Sequence, residues 1–189
     1  MKKNLLKGAL ASVIVLSTVA FTSIKKQIDV KSSTVVWTGK KVTGEHSGTL
    51  QFKEGHLMVE DGKLVGGEFT IDMTSLKNTD LEGESKQKLE GHLKSEDFFG
   101  IEKYPTSKLV FTSVASKGNG MYGVVGNLTI KNETHPITFD LKYSEDAAST
   151  TLSIDRSKYD VRYGSGSFFD NLGDKTIYDN FDLDVDLKF

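Results

Sequence analysis

The last nine residues, Phe181-Asp-Leu-Asp-Val-Asp-Leu-Lys-Phe189, alternate without a break. Phe181, Leu183, Val185, Leu187 and Phe189 fall on one side and Asp182, Asp184, Asp186 and Lys188 on the other. A period of two places successive side chains on opposite faces of a pleated strand, so this segment reads as a strand with one buried and one wet face. On a terminal strand, the three aspartates are expected to solvate the outer face and to discourage pairing at the edge.

The same period recurs upstream. HSGTLQF (46–52) sets His46, Gly48, Leu50 and Phe52 on one face, and LVGGEFTIDM (64–73) does so with Val65, Gly67, Phe69, Ile71 and Met73. MYGVVGNLTI (121–130) aligns Tyr122, Val124, Gly126, Leu128 and Ile130, and PITFDLKY (136–143) aligns Ile137, Phe139, Leu141 and Tyr143. About eight short antiparallel strands follow, from a first strand near Val35–Val42 to the last at Phe189. Gly48, Gly66, Gly67, Gly123 and Gly126 interrupt these strands. Mid-strand glycines mark bends and bulges, which a closed barrel needs and a flat sandwich needs less. The expected fold is therefore all-β: one antiparallel barrel of about eight strands with one short helical insertion.

The insertion lies between Asn78 and Leu93, where Leu81, Leu89 and Leu93 fall at helical spacing and Thr79 with Glu82 has the form of a capping box. After it comes HLKSEDFFGIEKYPTSKLVFTS (92–113). Pro105 excludes helix and holds Tyr104 extended before the next strand begins near Lys108. Phe98, Phe99 and Ile101 are then apolar plugs under one end of the barrel. The polar run around His92 reads either as a catalytic loop or as a structural joint between helix and sheet.

Of the 189 residues, 37% are hydrophobic and 26% charged, the balance of a globular domain. Lys2, Lys3 and Lys7 precede the apolar run GALASVIVLSTVAF, the order of a secretory signal peptide at residues 1–20, cut after Ala20 with Thr18 at minus three. The domain then spans 21–189. Without those three lysines, 21 basic side chains remain against 26 acidic ones, a net charge of −5. That sign disfavours nucleic acid and an anionic membrane face as partners. The chain has no cysteine, so neither a disulfide nor a lipid anchored on cysteine is available to it. The expected location is the periplasm, without stable membrane insertion.

In a barrel the inward positions meet, making either a solid core or a pocket. The lumen candidates are Trp37, Leu50, Phe52, Phe69, Ile71, Phe111, Val124, Leu128, Phe139, Leu141, Ile154, Phe181 and Leu183. Gly48, Gly67 and Gly126 share their faces and are expected to leave room among the large rings. His46, on an apolar face, and Arg156, Tyr159 and Arg162 in DRSKYDVRY (155–163) are candidates to meet a polar head group at the mouth, arginine by forking onto a phosphate. His46, His56, His92 and His135 are too scattered for a zinc site, and no nucleophile elbow or phosphate-cradling loop is present. No catalytic residue, metal ligand or cofactor is assigned. An enzyme would need a cluster inside the mouth, for instance His46 with His92 and a carboxylate.

HLKSEDFF, the KYPTSKLVFTS that follows, and GNLTIKNETHPITF (126–139) together resemble the YceI-like family of exported lipocalin-like proteins. The resemblance runs from about Val35 to Phe189. Asn132 stands where the family hairpin has glycine, and asparagine tolerates the left-handed conformation expected there. The long tail DRSKYDVRYGSGSFFDNLGDKTIYDNF (155–181) resembles Bacteroidetes-like members of the family. The resemblance implies an eight-stranded antiparallel lipocalin-like barrel whose apolar lumen takes an isoprenoid lipid, a quinone or a polyprenyl phosphate. The other readings are an enzyme acting on such a lipid, or a filled barrel with a stress or partner-binding role.

Overall fold

The computed structural model describes residues 23–189; the leader assigned to residues 1–20 lies outside them. Nine strands form one antiparallel sheet: β1 (Ser23–Gln27), β2 (Thr34–Lys41), β3 (Gly44–Glu60), β4 (Lys63–Asn78), β5 (Thr106–Gly118), β6 (Met121–Ile130), β7 (Glu133–Tyr143), β8 (Ala147–Asp155) and β9 (Ile177–Lys188). From β2 to β9 each strand pairs with the next, and β9 pairs back onto β2. The result is the expected closed eight-stranded barrel. One helix, α1 (Gly83–Lys94), crosses between β4 and β5.

Closure changes the meaning of the terminal aspartates. β9 is paired on both sides, with β2 and with β8, so Asp182, Asp184 and Asp186 guard no edge. They serve the outer face instead: Asp182 meets Lys40 Nζ at 2.9 Å, and Asp184 accepts from Thr151 Oγ1 at 2.8 Å.

β1 has no counterpart among the expected strands, because SIKKQ carries no alternation. It forms because β3, 17 residues long, outruns β2. β2 covers Gly44–Leu50 of β3, and β1 covers His56–Glu60 further along it. The unpaired backbone groups of a long strand need partners, and β1 supplies them.

Bulges reset the phase of the long strands. β3 alternates inward through Phe52, shifts register before Glu54, and then buries Gly55, Leu57 and Val59. On β4 a second shift opposite Met58 and Val59 turns Val65 outward, 43% exposed, and buries Leu64, correcting the inward assignment of Val65. An extra residue reverses every side chain beyond it, which strict alternation cannot foresee.

The helix starts later than its sequence signals. β4 continues to Asn78, and Asn78 and Asp80 bind Ser47 of β3 before the chain turns at Gly83 (φ +58°). Thr79 Oγ1 reaches the Ser47 carbonyl at 3.4 Å rather than capping a helix, so the capping box is not formed. The turn between β6 and β7 also differs in detail. Lys131 takes the left-handed φ (+55°), not Asn132, and its Nζ donates to the Asp160 carbonyl at 2.8 Å.

One seam interrupts the wall. β7 and β8 pair only at Lys142–Ser149 and Tyr143–Ala148. Beyond that point Thr150 Oγ1 donates to the Asp140 carbonyl at 2.7 Å. The short 3-10 turn Arg156–Tyr159 packs beside β7, where Tyr159 meets His135 edge to face at 5.2 Å.

Candidate functional site

Two apolar chambers occupy the barrel. The inner one, about 80 Å³, is lined by Phe52, Phe69, Ile71, Phe111, Leu128, Phe139 and Leu141 with their neighbours. The outer one, about 270 Å³, lies at the α1 end among Trp37, Leu50, Phe181 and residues of α1 and the two end loops. Leu183 lines both. Together the chambers reach the lower end of the ~300–1,000 Å³ of ordinary ligand pockets.

Eleven of the thirteen lumen candidates therefore line a chamber. Val124 and Ile154 do not; they are 0% and 2% exposed and belong to the packed core. The glycines do not create the space. Phe111 and Leu57 crowd over Gly67, Leu109 over Gly126, and the Trp37 indole over Gly48. Glycine admits the large rings, and the hollow lies beyond them. Inward-facing Leu50, Ile71, Leu109, Phe111, Leu128 and Phe181 remain only partly buried although they pack against the core. Apolar surface left uncovered inside a closed barrel is the mark of a hollow lumen.

Of the three expected plug residues, Phe98 and Phe99 line the outer chamber and Ile101 does not. Phe98 is buried, and Phe99 packs against it at 5.0 Å and against Phe181 at 6.4 Å. Leu89 and Leu93 of α1 close the same chamber. This answers the joint-or-loop question for the backbone: Ser95 Oγ and N both bond the His92 carbonyl, ending the helix in a packed corner.

The polar candidates separate. His46 lines the outer chamber, and its Nδ1 lies 2.8 Å from Asp80 Oδ2. Burial opposes ionisation of Asp80, but bonds from His46, the Ser47 N–H and Asn78 outweigh it and hold the carboxyl below its ordinary value. His92 lines the same chamber, with its ring between Tyr163 (4.3 Å) and Phe98 (5.5 Å). Its Nε2 is buried without a partner, and burial pushes its pKa below the ordinary imidazole value despite Asp97.

Arg156 is 2% exposed, and its donors serve carbonyls of Val161 (2.8 Å), Tyr163 (2.9 Å), Ile177 (3.0 Å) and Tyr178 (3.2 Å). Asp179 stands 3.5 Å from Nη2. The guanidinium thus ties the 161–178 loop to the barrel, and the fork a phosphate would need is already committed. Tyr159 is buried against His135 away from the chambers, and burial pushes its phenol up to about 12. Arg162 is on the outside, paired with Asp160 and lying over the Phe168 ring at 5.2 Å.

Sequence reasoning did not assign Asp80, Leu76, Tyr163, Ile177 or Tyr178 to the site. Asp80 is 34 residues from His46, and only the β3–β4 pairing joins them. The aromatic density of the tail was the available signal for Tyr163 and Tyr178.

A closed antiparallel barrel with a hollow apolar lumen, open at a mouth covered by one helix, defines a lipocalin-like binding architecture. The YceI-like domain matches residues 27–189, and the chain belongs to that family. The UPF0312 protein of Shewanella denitrificans is 31% identical over 150 residues, 73% of this chain and 71% of that protein. A UPF0312 protein of Staphylococcus epidermidis is 37% identical over 110 residues, 50% of this chain and 60% of its own length. Among solved structures, BcnA of Burkholderia cenocepacia superposes with a TM-score of 0.70 at 22% identity, over 85% of this chain and 98% of that one. A polyisoprenoid binding domain from Saccharophagus degradans superposes with a TM-score of 0.58 at 15% identity, over 89% and 97%. At these identities the structural likeness speaks to the fold.

Proposed function

We propose that this protein is exported to the periplasm and carries an isoprenoid lipid, a quinone or a polyprenyl phosphate, with its tail in the two chambers and its head group at the mouth near His46. The observation that carries this reading is the partly uncovered apolar lining inside the closed barrel. Transfer of a prenyl chain onto such a lining gains about 25 cal/mol per Å² of apolar surface removed from water. Family membership and the printed description of the Saccharophagus domain support the same ligand class. The order of charge and apolarity in residues 1–20 supports export. Placement among Bacteroidetes-like members belongs to the same proposal and rests on the long tail. The hollow chambers weigh against a filled barrel. In this reading the protein binds without catalysis, needs no cofactor or metal, and takes no nucleic acid.

The test is lipid mass spectrometry on protein purified from its own host without detergent exchange. One stoichiometric isoprenoid species is the expected result, and an extract that matches bulk membrane lipid overturns the reading. A second reading, an enzyme acting on such a lipid, draws support from the His46–Asp80 pair beside the chamber that His92 also lines. In alanine variants of His46 and His92, a carrier keeps its lipid and an enzyme loses turnover.

A further inference from the structure

Among the described residues, all four exposed large aromatics fall within one stretch of sixteen positions: Tyr163 (49%), Phe168 (41%), Phe169 (49%) and Tyr178 (51%). This is the tail loop that Arg156 ties down through four carbonyls, so the rings are held out on an anchored backbone. Val42, 49% exposed, joins the same rim through its N–H bond to the Thr176 carbonyl at 3.1 Å. Exposing these rings to water is unfavourable; Phe168 meets the exposed Arg162 guanidinium at 5.2 Å, and neither Phe168 nor Phe169 belongs to the core cluster or lines a chamber.

Their position suggests the partner. Tyr163 and Tyr178 line the outer chamber, and the exposed Phe168 and Phe169 belong to the loop that runs between them. Rings with polar tips beside bare phenyl groups, interleaved with Lys41, Arg162 and Lys175, suit the boundary between lipid head groups and acyl chains. The charge there is slightly acidic: Lys40, Lys41, Arg162 and Lys175 stand against Asp160, Asp170, Asp174, Asp179 and Asp182, the partner of Lys40. A basic patch would call for an anionic surface; an aromatic rim without net positive charge does not.

We propose that the Tyr163–Tyr178 loop is a docking surface for a zwitterionic lipid bilayer, seating the mouth on the membrane so that a lipid tail enters the chambers without crossing water. This deepens the carrier reading and rests on the mouth being the ligand's entrance. Attachment is peripheral and reversible, through insertion of Phe168 and Phe169.

The experiment uses Phe168→Ser/Phe169→Ser, two positions outside both chambers. Co-sedimentation with phosphatidylcholine vesicles measures docking. Emission of Trp37, the single tryptophan and a wall of the outer chamber, measures uptake of farnesol added without vesicles. The wild-type protein should partition onto the vesicles and the double variant about tenfold less or weaker still, with an unchanged farnesol response. Wild-type protein that stays in solution, or a variant that sediments as well as wild type, overturns the proposal. Binding that requires anionic lipid and disappears in salt overturns it as well, by making charge the cause. A variant that also loses its farnesol response assigns the phenylalanines to the ligand site and overturns docking. Docking that depends on Phe168 and Phe169 while Trp37 ignores farnesol supports the docking surface and counts against the carrier reading alone.

Discussion

The Trp37 indole crowds Gly48 on the neighbouring strand, so closely that a Cβ on Gly48 would stand 2.5 Å from Trp37 Cζ2 and would collide with the Lys77 carbonyl oxygen. The backbone oxygen cannot move aside as a flexible side chain can. Gly48→Ala should therefore cost about 2–3 kcal/mol in urea unfolding and shift Trp37 emission in the folded state. An alanine variant as stable as wild type would mean that β3 and β4 separate freely at this point.

Arg156 supplies a second prediction. Arg156→Met leaves four carbonyls of the tail loop without their charged donor, and Arg156→Lys has too few donors in the wrong geometry to replace it. Both should lose on the order of 3 kcal/mol of stability, with proteolytic nicking between Val161 and Tyr178 as the local signature. Full stability with an intact loop would show that backbone turns alone hold the tail.

Leu183 lines both chambers, so a larger side chain there should divide ligands by length. Leu183→Trp is expected to keep short prenyl alcohols that occupy the outer chamber and to lose at least about tenfold in affinity for long-chain isoprenoids. Equal losses for both lengths, measured by titration, would argue against a tail that runs past Leu183.

The half-buried His92 gives the pH dependence its sign. Its folded pKa lies below the ordinary value of 6.5, so the unfolded chain binds the proton more readily. Stability from this site is complete above pH 6.5 and falls as the solution is acidified toward the folded pKa. His92→Leu should flatten the unfolding profile between pH 7 and the acidic side of 6.5, provided both are measured at one ionic strength. An unchanged slope would place the titration elsewhere, for example at His56, whose pKa burial also lowers.

Between β7 and β8 only two residue pairs are in register. Amides of His135–Asp140 that face β8 should exchange with solvent faster than those of β6 or β9, which are paired on both sides. Uniform protection around the barrel would show that the seam closes in solution.

Much of the architecture was legible in single strands. Alternation in β6, in β7 and in β9 from Phe181 onward holds without interruption, so Tyr122, Leu128, Phe139, Leu141, Leu183 and Val185 point inward as their spacing indicates. Period two is a local property of an extended backbone and needs no knowledge of neighbours. Phe98 and Phe99 were readable as plugs for a similar reason, since Pro105 ended any helix after them. Where a bulge intervened, at Val65, alternation misled, because bulges arise from the pairing of two strands and from the curvature of the closed sheet.

What the chain determined by itself was the strand period, the helix insertion, the cysteine-free character and the family resemblance; all reside in contiguous residues. Only the tertiary structure brought His46 to Asp80, committed Arg156 to four carbonyls instead of a ligand, placed rings over Gly48 and Gly67, and left the lining of the lumen uncovered. Each depends on atoms far apart in sequence meeting at contact distance, and whether a barrel is filled or hollow depends on how its side chains share the space, which no one-dimensional pattern records.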